Sequence, residues 1–213
     1  MEMSDSKRKN FQSQTFTSKD KMLPHSKMRK AIASKVVKSK FSIPHFYQTI
    51  DVEMDSLIAL KNQINKEKDI EHQLSLTAFF IKACGITLGN FPVINSSYTE
   101  QGLLLYDQIN IGCVTALEEG MLIPVIKNAD TKSIFSINEE LAELIDKAKN
   151  HSLLPHAYSG GTFTISNLGM MGIRTFTAII NPPESAILAV GTIRQELKLI
   201  DSKVSKSQIA SFT

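Results

Sequence analysis

With 213 residues, 42% of them apolar, the chain has enough core-forming side chains for one domain of ordinary size. A net charge of +3 is too small to argue for a nucleic-acid partner, and the one dense cationic cluster, Lys7-Arg8-Lys9, reads as part of a solvated arm. Two well-separated cysteines, Cys84 and Cys113, exclude a disulfide framework and a CxxC metal knuckle; each lies in an apolar run, as a small buried hydrophobe does in a reducing compartment.

Residues 1–23 are polar, lack hydrophobic periodicity and predict a disordered arm ahead of a domain over 24–213. The first twenty residues have no apolar core of the kind a secretory signal needs. Their Ser, Gln and Lys content suits a mitochondrial transit peptide, but Glu2 and Asp5 do not, so the expected compartment is the cytoplasm, with the mitochondrial matrix as the alternative. After Pro24, apolar Met28, Ile32, Val36 and Val37 fall near helical spacing, Ser26 can cap the start, and Pro44 ends the helix. HFYQTIDVEM is aromatic and β-branched enough for a strand. Leu57, Leu60 and Ile64 then mark an amphipathic helix over 55–66, with Asp55 as its candidate cap.

The run from Ser75 to Leu88 is apolar on most faces and predicts a buried helix; LTAFFIKACGITL within it is too short to span a membrane and carries Lys82. LLLYDQINIGCVTAL and MLIPVI read as strands around the acidic turn Glu118-Glu119-Gly120. A helix follows from Ser133 to Lys149, with Ile134, Ile137, Leu141, Leu144, Ile145 and Ala148 on one face and Lys147 and Lys149 at its C-terminal end, where the helix dipole favours cations. From Thr162 the pattern is β again, in TFTIS, TFTAII, SAILAVGTI, ELKLI and QIASFT. Helices and strands in no strict alternation predict an α+β fold, a mixed β-sheet with helices on one face.

GxSxG, P-loop, HExxH and GxGxxG patterns are all absent, and no metal site is expected. The densest wording in the chain is LLPHAYSGGTFTISNLGMMGI followed by AIINPPESAILAVG. With MRKAIASKVVKSKFSIPHFYQTIDVEMD, SLTAFFIKAC and ALEEGMLIPVIKNAD, these segments resemble the catalytic domain of 2-oxo acid dehydrogenase acyltransferases over nearly all of residues 24–213. SNLGM-MGI with AIINPP is most similar to the pyruvate dehydrogenase type, the dihydrolipoamide acetyltransferases. The resemblance implies a chloramphenicol-acetyltransferase-like fold and a homotrimer built into a larger core. It implies CoA or acetyl-CoA as substrate and a lipoyl group carried on a separate domain or protein. The partners it implies are a lipoyl domain and the 2-oxo acid dehydrogenase and dihydrolipoamide dehydrogenase components, with no nucleic acid and no membrane.

The implied reaction passes acetyl between two thiols: an imidazole takes the proton of the attacking thiol, and a donor meets the oxyanion of the tetrahedral intermediate. By motif match Ser166 of FTISN is that donor; the competing reading is a strand-end serine bonded to backbone. Phe176 and Leu188 match apolar positions of the CoA channel and are equally ordinary core residues. Arg29 matches an entry-helix arginine that serves either a salt bridge or the CoA phosphates. His45 of the IPH motif is expected to be structural. Asp146-Lys147-Ala148 is similar to the family's lipoyl-lysine turn but falls at a helix end, as ordinary surface does.

The family's base lies in a DHRxxDG motif about fifty residues after the FTIS serine, which puts the histidine about five residues past Thr213. None of the five histidines in the chain begins an HxxxD sequence. The expectation is a catalytic domain cut short before that motif, its fold incomplete at the C-terminus and its transfer slowed on the order of 100- to 10,000-fold. Whether it is an enzyme stays open against a non-catalytic core or scaffold subunit. A third reading, a free-standing acyltransferase acting on another small acceptor, needs the same histidine.

Overall fold

A computed structural model of the chain describes residues 21–67, 73–200 and 203–213; the polar arm, through residue 20, and His72 lie outside them. Helix α1 (Lys27–Ser42) starts where expected, the Ser26 hydroxyl accepting the Arg29 N–H at 3.2 Å. Met28, Ile32, Val36 and Ser39 form its inward line, while Val37 is exposed. Strand β1 (Ile50–Glu53) leads into α2 (Asp55–Glu67) and then α3 (Leu76–Asn90), whose cap is Ser75. The hairpin β2 (Ser96–Thr99) and β3 (Gly102–Leu105) follows, then β4 (Ile111–Cys113), β5 (Thr115–Leu117), β6 (Gly120–Leu122) and β7 (Val125–Ile126). Helix α4 (Ile134–Lys149), capped by Ser133, precedes β8 (Phe163–Asn167), β9 (Ile187–Val190), β10 (Arg194–Ile200) and β11 (Lys203–Phe212).

Seven strands form one mixed sheet in the order β1-β11-β9-β8-β4-β7, with β10 paired on β11; β4, β8 and β9 run parallel and the other pairs antiparallel. Side chains alternate across it. Ile111, Cys113, Phe163, Ile165, Leu188 and Val190 face α3 and α4 and share one core with Phe80, Ile81, Ile137 and Leu141. Lys82, the charge in the apolar run of α3, donates to the Asp130 and Lys132 carbonyls at 2.6 and 2.8 Å, tying α3 to the turn before α4. Burial pushes both free thiols, Cys84 and Cys113, up to about 12, so they behave as hydrophobes. No helix among the described residues is long and apolar enough to cross a membrane.

Four local expectations are corrected. TFTAII (175–180) forms no strand. The parallel row beside β8 is already filled by β4 and β9, and the segment bonds instead to side chains and a loop: His45 at the Ile180 N–H and Ser39 at the Ile180 carbonyl. The long run before Glu118 breaks into β3, β4 and β5, and MLIPVI breaks at Pro124, which has no N–H for a ladder. The HFYQT part of the first strand prediction is extended but unpaired until Ile50. Asp55 does not cap α2. Its carboxylate takes the Ser207 hydroxyl at 2.8 Å and the Gln208 N–H at 3.0 Å, locking α2 to β11, and these bonds hold its pKa below the usual value.

Candidate active site

The motif strand β8 presents two different faces. Phe163 and Ile165 point into the core; Thr164 and Ser166 point to the side away from α3 and α4. Ser166 is only 7% exposed, and its hydroxyl makes no hydrogen bond among the described residues. The reading of Ser166 as a strand-end serine bonded to backbone finds no such bond. Its register neighbour on β9 is Ala189, beyond which Thr213 pairs with Ala189 through both backbone bonds, at 2.8 and 3.0 Å. A small side chain between two hydroxyl-bearing residues leaves the Ser166 oxygen uncovered.

One step along the same face, Thr164 is fully buried and donates its hydroxyl to Glu184 Oε2 at 2.6 Å. Asn181 donates to Glu184 Oε1 at 2.7 Å. Glu184 is 4% exposed, and desolvation pushes its carboxyl above the ordinary range, against the two hydrogen bonds and the charge of Lys35. This acid was missed in the sequence. The signal was there, since Glu184 is the one charge in AIINPPESAILAVG. Above the cluster lies a cavity of about 400 Å³ between the sheet and α1, walled by Ile32, Lys35, Val36, Val125, Tyr158 and Glu184 among others.

A raised folded pKa means the native state holds its proton at a pH where the unfolded chain has released it, so stability is lost as pH rises through the folded value. Glu184→Gln, which keeps the shape and cannot ionise, is therefore expected to gain stability relative to the parent as pH rises from 4, below the ordinary carboxylate value, to 8, above it. Thermal melts of both proteins at the two pH values check this; a constant difference between them refutes it.

The segment 173–186 runs over this face and is held by two inward hydrogen bonds from the α1 end. Ser39 donates to the Ile180 carbonyl at 2.6 Å, and His45 Nε2 accepts the Ile180 N–H at 3.0 Å. With Nδ1 at 2.7 Å from the Ile43 carbonyl, the ring is set as the Nδ1–H tautomer and both nitrogens are occupied. That is the structural role expected of His45. His45→Ala leaves a backbone donor and an acceptor without partners, an expected loss of about 1–3 kcal/mol in chemical unfolding.

The other motif-matched residues are not gathered around Ser166 by this chain. Arg29 is exposed at the start of α1 and donates Nε to the Glu119 carbonyl at 3.3 Å, with no carboxylate on it among the described residues. Phe176 is half-buried on the 173–186 segment. Leu188 is partly buried against the core on the opposite side of the sheet from the Ser166 hydroxyl. None of the four lines the cavity. Lys147 pairs with Glu143 within α4, as a surface lysine does. No cluster of three or more His, Cys, Asp or Glu among the described residues is placed to hold a metal ion.

Residues 17–213 match the family model described as 2-oxoacid dehydrogenases acyltransferase (catalytic domain). The chain is 42% identical over 178 residues to component 3 of the mitochondrial dihydrolipoyllysine-residue acetyltransferase of Arabidopsis thaliana pyruvate dehydrogenase complex, covering 82% of this chain and 33% of that protein. A solved structure of a probable dihydrolipoamide acetyltransferase from Listeria monocytogenes superposes with a TM-score of 0.88 at 35% identity, over 92% of this chain and 85% of that one. The cubic core of a pyruvate dehydrogenase multienzyme complex superposes with a TM-score of 0.87 at 30% identity, over 91% and 81%. The chain spans less than half of the length of these curated relatives, from 29% to 47%.

Proposed function

The chain belongs to the 2-oxoacid dehydrogenase acyltransferase family, as its catalytic domain, and from that membership we propose that it passes acetyl from acetyl-dihydrolipoamide to CoA within a pyruvate dehydrogenase complex. The attacking thiol loses its proton to an imidazole and its sulfur bonds the thioester carbonyl carbon. The oxyanion then collapses, the original carbon–sulfur bond breaks, and the imidazole returns the proton to the departing thiolate. Ser166 donates its hydroxyl to that oxyanion. The observation that carries this role is a buried-edge hydroxyl with no partner among the described residues, on the face of β8 away from α3 and α4. A donor already in place and not otherwise engaged is what such stabilisation requires.

The lipoyl group is brought by a separate domain, and the 2-oxo acid dehydrogenase and dihydrolipoamide dehydrogenase components supply and reoxidise it. Copies of the chain assemble as trimers and then as a larger core, as the solved cubic core of a relative supports, and the compartment is the cytoplasm. Because no HxxxD sequence occurs in residues 1–213, the imidazole is added in the test. Acetyl exchange between acetyl-CoA and dihydrolipoamide is followed with residues 1–213 in imidazole buffer. Exchange above background that depends on Ser166 supports the reading; exchange equal to the protein-free rate overturns it.

A further inference from the structure

We infer that the cavity between α1 and the sheet is a binding site, separate from Ser166, for a medium-chain aliphatic carboxylate, its tail among the apolar walls and its head at Lys35. Protein interiors pack with few voids larger than a water molecule. This one holds about 400 Å³, within the roughly 300–1,000 Å³ of pockets that take small ligands. Ser166 is not among its lining residues.

The seating of α1 keeps the space open. At one end the helix lies hard against the turn between β5 and β6: a Cβ on Gly120 would come within 2.8 Å of Ile32 Cδ1 and 3.2 Å of Met28 Sδ. Arg29 Nε adds its bond to the Glu119 carbonyl at 3.3 Å. At the other end Ser39 Oγ donates to the Ile180 carbonyl at 2.6 Å. Between these supports roughly two turns of helix span the gap as a roof, and Lys35 and Val36 line the cavity without filling it. The roof cannot drop without breaking the contacts at its ends.

The walls select the ligand. Ile32 and Val36 of α1, with Val125, Ile179 and Ile187, suit an aliphatic chain. Two charged residues line the cavity, and they are not equivalent. Glu184 is engaged, since Thr164 and Asn181 occupy its two oxygens at 2.6 and 2.7 Å. Lys35 is exposed, and its ammonium is in no ion pair among the described residues, although Glu184 feels its charge. The Gly160 and Gly161 N–H groups, on the same wall, have no acceptor among the described residues. The donors left over call for an anion, and a carboxylate makes the stronger, charge-assisted kind of bond with them. Desolvation holds the Glu184 carboxyl above the ordinary range, so it opposes that anion less than an exposed acid would.

Isothermal titration calorimetry on residues 1–213 tests this with octanoate as the probe; it reads binding alone, so its outcome is independent of acetyl exchange. Octanoate is expected to bind one to one, and about 15-fold more tightly than hexanoate, since each buried CH₂ contributes roughly fourfold. Lys35→Glu is expected to weaken octanoate at least about tenfold and to admit octylammonium instead. Lys38→Glu, exposed on the same helix and outside the cavity lining, leaves octanoate binding unchanged. Val36→Phe, which fills the cavity, gives the same loss with the charge intact, and melting curves verify that each variant folds. No binding at about 10 mM octanoate overturns the assignment. So does octanamide or octylammonium binding the parent as tightly as octanoate, and so does equal weakening by the Lys35 and Lys38 variants. Undiminished binding by a folded Val36→Phe protein places the ligand elsewhere and overturns it as well.

Discussion

Ser166→Ala is expected to reduce imidazole-supported acetyl exchange by on the order of 100- to 1,000-fold, the cost of one oxyanion donor at about 3–4 kcal/mol. The loss should fall on kcat with KM little changed, because the hydroxyl is used only once charge has developed on the carbonyl oxygen. Folding should be untouched. The Ser166 hydroxyl has no partner among the described residues to leave stranded, and a methyl group fits where it stood, beside Ala189. A melting curve matching the parent's, together with the lost turnover, identifies the role; turnover retained within a factor of three sinks it. The same assay bears on the base. Without imidazole, residues 1–213 are expected to run on the order of 100- to 10,000-fold below a relative that carries the histidine motif. Exchange that ignores added imidazole would place a base somewhere in this sequence and undo that part of the reading.

The largest stability effect is expected at Gly191. A Cβ there would lie 2.0 Å from the Arg174 carbonyl oxygen and 2.9 Å from its carbon, both backbone atoms. Neither side can yield cheaply. The Gly191 N–H is bonded to the Ser211 carbonyl at 2.9 Å, and Thr192 N–H to the Ile173 carbonyl at 2.7 Å, so sheet and overlying segment are clamped together. Gly191→Ala is therefore expected to cost about 3 kcal/mol or more, the upper range for overpacking. In a domain of this size that lowers the melting temperature by roughly 6–12 °C. Gly89→Ala is the contrast. It sits in α3 with only Ile109 Cδ1 at 3.7 Å, ordinary van der Waals contact, and alanine there is expected to be neutral or stabilising by up to about 1 kcal/mol. Equal melting of the Gly191 variant and its parent would refute the clamp.

At low pH two surface networks should loosen together. Asp51 is held below its usual pKa by Ser211 and then Arg194, and Asp55 by the Gln208 backbone and Ser207. The sign is opposite to that of Glu184: these groups stabilise above the unfolded carboxylate value, and the contribution is lost as pH falls through their lowered folded values. Both tie β11 to its neighbours, Asp51 across the β1 edge and Asp55 from α2.

The helices were legible because their causes are local. A serine before each of α1, α3 and α4 caps an N–H three residues on, and the apolar spacing of α4 marks its buried stripe without reference to the rest of the chain. The same local vocabulary misled at TFTAII. β-branched and aromatic residues announce a half-buried pleated surface, but a strand also needs a free ladder edge, and β8 had none left to offer. Asp55 misled similarly, since an acid at a helix start reads as a cap until β11, some 150 residues away, supplies better donors.

What the sequence determined by itself was the α+β class, the helix starts, the family and the serine of its motif, all carried by neighbours in the chain or by wording that survives alignment. Only the tertiary structure decided that the Ser166 hydroxyl has no partner among the described residues, on the face away from α3 and α4, and that Glu184 is buried under Thr164 and Asn181. It also decided that His45 pins Ile180. Each of these depends on which distant segment takes a polar group's hydrogen bond or covers an apolar face. That choice is made by the packing of the whole sheet, where no window of sequence can register it.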